Sequence, residues 1–316
     1  MIEKPFFVIL TNRCNLACPH CYNELDPLKI VKSKEQDAMS RERLQFLFGQ
    51  LKEQGYEKGF FSGGEALLRS DAPEVVGDAH ALGLKTALFT NGHLFTPQII
   101  ARLARAGLDE VRISLNELAW IRNRDQYEHV FARQTEWVSA LREAGIGVGI
   151  IFIISQRSML YMAESHERVR QLGAGMKIQP LYLPHDVKGY QSAAAGRMAE
   201  GDWNGLLTEL ESLVARTDFT AESDFEVYSN PWKLLRYLRF VRDVYVMGAR
   251  PDFCPTGPLL IVDSDGYFHP CLFRFDLVCG HIASDADVRA VRSRVDGHEE
   301  LRRAPCFREE CLSAYR

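Results

Sequence analysis

The sequence of 316 residues has no long hydrophobic run, and this absence excludes an obvious membrane-spanning helix. Its longest strongly apolar stretch, Val148 to Ile154, is far shorter than the roughly 20 residues that cross a bilayer. The first apolar run, Phe6 to Leu10, is too short for the core of a signal peptide, and no small-residue cleavage site follows it. These absences predict a cytoplasmic protein with no membrane partner.

The chain also lacks an excess of basic residues. Its 38 Lys and Arg residues against 42 Asp and Glu residues give a formal net charge of −4. A nucleic-acid surface would call for clustered or excess positive charge, so no nucleic-acid partner is expected. The hydrophobic fraction of 46% and the charged fraction of 25% are those of an ordinary folded globular protein.

Cysteine is missing from the whole middle of the chain, between Cys21 and Cys254, although the sequence has 8 cysteines. Three of them stand near the start, and the others lie in the last fifth of the chain. In a reducing compartment, thiols more often bind metals or serve catalysis than form disulfides. The distribution therefore predicts two separate cysteine sites, one towards each end of the chain.

Strand and helix patterns alternate along the first two thirds of the chain. The predicted strands are Pro5 to Leu10, Lys58 to Ser62, Leu84 to Thr90, Val111 to Leu115, Val148 to Ile154 and Met176 to Leu183. The predicted helices are Ser40 to Gln54, Asp71 to Leu82, Pro97 to Ala106, Val130 to Ala144, Met162 to Leu172, Asp202 to Arg216 and Pro231 to Met247. Six strands that alternate with helices predict an α/β fold with a parallel sheet, and they are too few for a complete eightfold barrel.

From about residue 250 the chain becomes rich in Pro, Gly, Cys and short strands. The segment between Cys254 and Cys271 has the pattern strand, Asp-Gly turn, strand. This pattern predicts a β-hairpin whose open end brings the two cysteines together. We therefore divide the chain into a β/α domain over residues 1–216, a helical linker over residues 217–250 and a small domain over residues 251–316.

The first cysteine group follows the first predicted strand on a polar loop. Its spacing is Cys14-x3-Cys18-x2-Cys21, with no fourth cysteine nearby. Three close thiolates suit an iron–sulfur cluster that keeps one iron open to another ligand. A zinc site that adds His20 to these cysteines is the alternative, although such zinc sites normally combine two Cys-x2-Cys turns.

The stretch Thr11 to Tyr22, TNRCNLACPHCY, resembles the cluster loop of radical S-adenosylmethionine (SAM) enzymes. The family signature is Cys-x3-Cys-x-aromatic-Cys, and His20 takes the aromatic position. Three further motifs follow in the family's order: Ser62-Gly63-Gly64-Glu65, Thr90-Asn91-Gly92 and Ser114-Leu115-Asn116. The last of these departs from the commoner Ser-Leu-Asp. The resemblance covers about residues 5 to 190.

This resemblance implies a partial (β/α)6 barrel of TIM type with its site at the carboxyl ends of the strands. It implies that Cys14, Cys18 and Cys21 bind a [4Fe–4S] cluster, reduced by an external donor such as flavodoxin or ferredoxin. The open iron would bind SAM, which is cleaved to a 5′-deoxyadenosyl radical, and glycine would let the backbone approach the methionine ammonium. The residues implied in SAM binding are His20, Gly63, Gly64, Glu65, Ser114 and Asn116.

The second cysteine group, with its Gly266-x4-Cys271 spacing, resembles the opening of the SPASM and Twitch domains that follow many radical SAM barrels. Such domains hold auxiliary [4Fe–4S] clusters. A full SPASM domain uses more than the five cysteines available here, so the resemblance implies the shorter Twitch form with one auxiliary cluster. A zinc site is the alternative. Cys279 is the spare thiol, expected to be buried, and the implied ligands are Cys254, Cys271, Cys306 and Cys311.

The resemblance thus implies a radical SAM oxidoreductase that takes a hydrogen atom from its substrate and passes an electron to the auxiliary cluster. Only about a dozen residues precede Cys14, which leaves no module that captures leader peptides and favours a small sugar, aminocyclitol or nucleoside substrate. A separately encoded recognition protein would remove this inference. The alternatives are a peptide-modifying radical SAM enzyme and a redox-neutral reaction such as dehydration, epimerisation or carbon–carbon bond formation. The intact motifs disfavour a non-enzymatic iron–sulfur or zinc protein.

Overall fold

The computed structural model describes residues 4–18, 21, 39–180, 200–216, 235, 239, 242, 260–270, 277–282 and 288–296. The strands in these residues are β1 (Pro5–Ile9), β2 (Lys58–Ser62), β3 (Lys85–Thr90), β4 (Glu110–Leu115), β5 (Gly147–Ile154), β6 (Gly175–Pro180), β7 (Leu260–Val262), β8 (Tyr267–His269) and β9 (Gly280–His281). The helices are α1 (Arg41–Glu53), α2 (Ala72–Ala81), α3 (Pro97–Arg105), α4 (Arg124–Thr135), α5 (Val138–Glu143), α6 (Met162–Gln171), α7 (Glu200–Arg216) and α8 (Val288–Asp296).

The strands form one sheet in the order β6-β5-β4-β3-β2-β1-β7-β8-β9. Every neighbouring pair from β1 to β6 is parallel, and helices lie in the connections between these strands. This arrangement is a partial TIM-type fold, and the predicted α/β class is confirmed. Because the strands are parallel, the loops that follow them meet at one edge of the sheet, which we call the carboxyl edge.

The core lies between the sheet and its helices. On β4, Val111, Ile113 and Leu115 are fully buried in the main hydrophobic cluster, whereas Arg112 and Ser114 alternate with them and are half-buried. Because side chains alternate along a strand, the buried apolar residues lie on the helix-covered face of the sheet. Arg112 and Ser114 lie on the interior face of the partial barrel. The interior face therefore carries the polar side chains of β4.

One predicted helix is wrong in its extent. The prediction placed a single helix over Val130 to Ala144, whereas the structure has α4 starting six residues earlier, at Arg124, and a separate α5. Asn123 caps α4 by accepting a hydrogen bond from the Gln126 amide at 3.0 Å. The Asn-x-x-Gln spacing is a visible N-terminal capping signal.

The predicted C-terminal hairpin is present as the antiparallel pair β7 and β8. β7 also pairs in parallel with β1, in the register Phe6 to Leu260 and Val8 to Val262. The sheet therefore continues from the β/α repeat into the C-terminal segment. The division into residues 1–216, 217–250 and 251–316 stays a prediction.

Most of the predicted helix Pro231 to Met247 lies outside the described residues. Among the helices that the described ranges contain, none combines the length and the apolar character needed to cross a membrane.

Candidate functional site

The cluster loop, described over residues 11–18 and 21, leaves β1 at the carboxyl edge, and its first residues run beside the Gly-Gly-Glu segment that follows β2. Two backbone hydrogen bonds join them: the Gly64 amide donates to the Thr11 carbonyl at 2.8 Å, and the Glu65 amide donates to the Arg13 carbonyl at 2.7 Å. The two motifs, about 50 positions apart in sequence, thus form one continuous backbone unit.

The two glycines are required by this close approach of two backbones. A Cβ atom on Gly63 would lie 2.6 Å from the Thr11 carbonyl oxygen, and one on Gly64 would lie 2.3 Å from that of Arg13. Neither neighbour is the flexible end of a side chain, so an alanine at either position displaces the loop. We expected the glycines to serve the approach of SAM. That contact stays a prediction, and the structure adds a packing reason for them.

Glu65 is 1% exposed, and the protein itself occupies both of its carboxylate oxygens. Oε1 accepts hydrogen bonds from the Leu67 amide at 3.0 Å and the Thr90 hydroxyl at 2.9 Å, and Oε2 accepts from the Asn91 amide at 2.8 Å. Burial raises the pKa of Glu65, and the three hydrogen bonds oppose that rise. In this geometry Glu65 ties the end of β2 to the end of β3.

The Thr90-Asn91-Gly92 turn continues this network to the cluster loop. The Asn91 side chain donates to Asn15 Oδ1 at 2.8 Å and accepts from the His93 amide at 3.0 Å. Asn15 directly follows Cys14, so Glu65 and Asn91 together restrain the loop next to a candidate cluster ligand. The motifs predicted the turn, but no sequence signal pairs Asn91 with a residue 76 positions away.

Ser114 and Asn116 lie at the carboxyl end of β4 and are both half-buried. Gln134 of α4, which is 1% exposed, donates from Nε2 to the carbonyls of Asn91 at 3.5 Å and Ser114 at 3.4 Å. It therefore spans the ends of β3 and β4. Nothing in the sequence distinguishes Gln134 from any other glutamine on a helix, so no sequence signal predicts its place at the site.

The three cysteines of the loop are free thiols, with Cys14 exposed and Cys18 and Cys21 partly exposed. The Cys21 amide donates to the Cys18 carbonyl at 3.0 Å, and the Leu16 amide lies 3.4 Å from Cys14 Sγ. Although Cys14 as a residue is exposed, the atoms packed around its sulfur partly desolvate the thiol and raise its pKa, and the Leu16 hydrogen bond opposes that rise.

This donor set suits a [4Fe–4S] cluster, because such a cluster can bind each thiolate through a separate iron. Across the described ranges, no three His, Cys, Asp or Glu side chains are grouped around one ion position. His20, which the alternative zinc site would add, lies outside these ranges, so the choice between cluster and zinc is not tested by this grouping. Three accessible thiols on one polar loop agree with the cluster that the resemblance implies.

Five of the predicted site residues lie outside the described residues, and their roles stay predictions: His20, Cys254, Cys271, Cys306 and Cys311. Cys279, the spare thiol, is described. Its side chain is buried in the main hydrophobic cluster, and burial raises its pKa.

The interior face of the partial barrel carries an aromatic group. The rings of Phe7 and Phe60 stack with centroids 4.6 Å apart, and Phe89 packs edge-on to Phe60 at 5.8 Å. The Arg112 guanidinium lies 5.0 Å from the Phe60 ring centroid and 5.4 Å from that of Phe89, and it forms an ion pair with Glu110. Arg112 shares a strand face with Ser114, so this group lies on the same face as a candidate SAM residue.

Comparison with known proteins places this site in a family. The model of the Radical SAM superfamily matches residues 8–167, about half of the chain. The chain is 32% identical over 151 residues to the PqqA peptide cyclase of Xanthomonas axonopodis pv. citri, a match that covers 47% of this chain and 39% of the relative. It therefore spans well under half the length of this curated relative.

Solved structures share the fold. The structure of anSMEcpe with bound AdoMet superposes with a TM-score of 0.66 at 15% identity, covering 95% of this chain and 83% of that one. Streptococcus suis SuiB bound to the precursor peptide SuiA gives a TM-score of 0.61 at 14% identity, covering 93% of this chain and 67% of that one. With the family match over the cluster loop and the Gly-Gly-Glu segment, these findings show that the chain belongs to the radical SAM superfamily.

Proposed function

We propose that this protein is a radical SAM enzyme that modifies a peptide. The observation that carries the proposal is the 32% identity to a PqqA peptide cyclase, a relative named for a peptide substrate. The likeness in fold to SuiB, solved with its precursor peptide bound, agrees with it. A sugar, aminocyclitol or nucleoside substrate, expected from the sequence, has less support, because it rested only on the few residues before Cys14.

The chain's own residues supply the site for the cofactors. Cys14, Cys18 and Cys21 would hold a [4Fe–4S] cluster, which when bound supplies the electron that cleaves SAM. The path from Glu65 through Asn91 to Asn15 restrains the loop that carries these thiols. A restrained loop keeps the ligands in place without reorganisation when the cofactors bind.

The interior aromatic group offers a place for the reacting side chain of the peptide. Phe7, Phe60 and Phe89 present an apolar surface, and Arg112 is already paired with Glu110. An apolar surface of this kind suits an apolar or aromatic peptide side chain and excludes water, which would otherwise quench a reactive intermediate.

An auxiliary cluster that accepts an electron from the substrate remains part of the proposal. Its expected ligands are Cys254, Cys271, Cys306 and Cys311, and its support is the resemblance to the Twitch form. The hairpin that Cys254 and Cys271 flank in sequence is present as β7 and β8. Its open end, at Leu260 and His269, lies at the edge of the sheet opposite the cluster loop, because β7 runs parallel to β1. That location supports a second site separate from the first.

The test uses the anaerobically reconstituted chain with SAM and a strong reductant or reduced flavodoxin. We expect 5′-deoxyadenosine to form, and none to form with the Cys18→Ala variant. Candidate peptides are those encoded by short reading frames next to the gene, prepared in deuterated form. Transfer of deuterium from a peptide into 5′-deoxyadenosine supports the proposal.

A panel of deuterated sugars, aminocyclitols and nucleosides is the matched comparison. Transfer from one of these and from no peptide would restore the small-molecule expectation. With the unlabelled peptide, a loss of two hydrogens in the product mass indicates oxidation, an unchanged mass indicates a redox-neutral epimerisation, and the loss of one water indicates dehydration. Absence of 5′-deoxyadenosine from cluster-loaded wild type would overturn the proposal altogether.

A further inference from the structure

The turn that joins β7 to β8 lies beside the cluster loop. β7 pairs in parallel with β1, with Phe7 opposite Ile261 and Val8 opposite Val262. Parallel partners end at the same edge of a sheet, so residues 263–266 emerge at the carboxyl edge next to the loop that follows β1. A segment from the last fifth of the chain thus reaches the candidate cofactor site.

A side-chain hydrogen bond joins the two segments. Asn12 Nδ2 donates to Ser264 Oγ at 2.7 Å, across 252 positions of sequence. Ser264 is 2% exposed, and Asn12 stands two residues before Cys14. The Asn12 carbonyl oxygen would lie 2.8 Å from a Cβ atom on Gly64, so Asn12 also touches the Gly-Gly segment.

The turn holds Ser264 in a fixed position. Asp263 is 3% exposed, and its Oδ1 accepts from the amides of Asp265 at 3.0 Å and Tyr267 at 2.9 Å. Its Oδ2 lies 3.1 Å from Nε2 of His269, which is also buried. A carboxylate with this many partners orders the turn before any ligand binds.

The other end of the Asn12 side-chain amide is the oxygen Oδ1. It is buried, and within the described part of the chain nothing donates to it. An unmet buried acceptor is unfavourable, so a group that binds here and brings a donor gains by meeting it. SAM carries such donors on its methionine ammonium, ribose and adenine, and the adjoining Gly63-Gly64 segment is implied in SAM binding by the family resemblance.

We propose that Ser264 is a positioning residue of the SAM site. It holds the Asn12 side chain so that Asn12 Oδ1 accepts a hydrogen bond from bound SAM. The C-terminal hairpin thereby contributes to SAM binding, and this contribution does not depend on whether the hairpin also adjoins a second cluster. This inference rests on the proposed binding of SAM and is independent of the substrate.

A double-mutant cycle with Ser264→Ala and Asn12→Ala tests the proposal. The dissociation constant of SAM is measured by equilibrium dialysis on anaerobically reconstituted protein of known iron content. The melting temperature is measured on the cluster-free protein. We expect each single variant to weaken SAM binding by about 3- to 10-fold, the range that one hydrogen bond accounts for. The double variant should be no weaker than Asn12→Ala alone, because Ser264 acts through Asn12.

The matched control is Ser293→Ala, which removes an exposed hydroxyl that donates to the Arg289 carbonyl on α8. It should bind SAM as wild type does. A merely structural role for Ser264 would lower the melting temperature and leave the affinity for SAM unchanged. Unchanged affinity in Ser264→Ala, or losses that multiply in the double variant, overturn the proposal.

Asn12→Ala carries the test alone if Ser264→Ala does not fold, and unchanged SAM affinity in that variant overturns the proposal. A wild-type protein that loads its cluster and fails to bind SAM would contradict the proposed function as a whole. Wild-type binding with no effect of either substitution contradicts only this inference.

Discussion

Glu65 shows how a motif residue can hold the elements of a site together. All three hydrogen bonds to its carboxylate come from the protein, from Leu67, Thr90 and Asn91. The carboxylate is only 1% exposed, and its implied contact with SAM stays a prediction. Its contribution is to hold the strand ends that in turn hold the cluster loop.

The variant Glu65→Gln tests this structural role through pH. Because burial raises the pKa of Glu65 above the ordinary value of 4.5, the folded protein binds more protons than the unfolded chain between the two pKa values. The stability that Glu65 contributes is therefore full below the unfolded pKa and is lost as pH rises through the folded pKa. Glutamine does not titrate, and its amide turns an N–H group towards a donor, at a cost of about 1–3 kcal/mol.

We therefore expect the wild type to have a higher free energy of unfolding than Glu65→Gln. The difference between the two proteins should be larger near pH 5 than near pH 8. Urea unfolding of the cluster-free proteins at several pH values measures this difference. An advantage of wild type that grows with rising pH would show that the carboxylate, and not the acid, is the form the fold favours.

Gly64→Ala tests the close approach of the two backbones. The added methyl group would lie 2.3 Å from the Arg13 carbonyl oxygen, and a backbone atom there has no free room to move. We expect a loss of about 1–3 kcal/mol in free energy of unfolding and a lower iron content after reconstitution.

Gly49→Ala on α1 is the matched control, since a Cβ atom there meets nothing within 4 Å. It should instead stabilise the protein by about 0.5–1 kcal/mol, because alanine favours the helix. Equal stability of the two variants would mean that the cluster loop moves away from the added methyl group with no loss in free energy of unfolding.

The site residues that the sequence predicted are those with a spacing signal. The cysteine motif, the Gly-Gly-Glu segment and the Thr-Asn-Gly turn are each short and local, so they can be recognised from the sequence alone. Asn15, Gln134 and Ser264 act through contacts with distant residues, as in the 252 positions between Asn12 and Ser264. Residue type and local pattern do not encode such contacts.

Among the elements, α4 shows what apolar spacing alone does not mark. The spacing predicts a helix that begins at Val130, whereas the capping signal lies at Asn123. The same spacing continues through residues 136–137, where the structure separates α4 from α5. The Thr135 hydroxyl donates to the Phe131 carbonyl at 2.7 Å, a back-bond that competes with the helical hydrogen bonds and bends helices. Periodicity alone does not reveal such a break.

The contact between α4 and α6 combines a buried aromatic stack with exposed ion pairs, and their magnitudes predict which one matters. Tyr127 is fully buried, stacks on Tyr161 at 4.3 Å and shares a hydrogen bond with Ser165. Arg124, which is 54% exposed, pairs with Glu164. Urea unfolding should show a cost of about 3–5 kcal/mol for Tyr127→Ala and less than about 1 kcal/mol for Arg124→Ala. The reverse order would mean that the ion pairs hold the helices together.

At the scale of the whole molecule, the six β/α units were predictable because each strand and helix has its own pattern. The pairing of β7 with β1 was not. The sequence of Leu260–Val262 predicts an extended conformation, but three residues are too few to indicate which strand they pair with. The C-terminal hairpin was therefore expected as a separate unit, and its place in the main sheet emerges only from the fold.

The substrate class was the least predictable property. The motifs describe the part of the site that is shared across the superfamily, namely the cluster loop and the residues beside it. The proposed substrate surface is the interior face, where Phe7, Phe60, Phe89 and Arg112 come from four different strands. No local pattern links these residues, so their grouping required the sheet.

The whole molecule is expected to hold two clusters. The two cysteine groups are separated by more than 200 residues, and the described hairpin runs from the carboxyl edge to the opposite edge of the sheet. Two independent [4Fe–4S] clusters would give about 8 irons per chain after anaerobic reconstitution. Replacing Cys14, Cys18 and Cys21 together with Ala should leave about 4, because the proposed second site takes its ligands from the other cysteine group. Iron and zinc are counted by elemental analysis, and melting curves show whether the variant remains folded, since a lost cluster also removes binding energy that stabilises the fold. A wild-type chain that holds about 4 irons and one zinc ion would assign zinc to the C-terminal site and remove the electron acceptor from the proposed reaction.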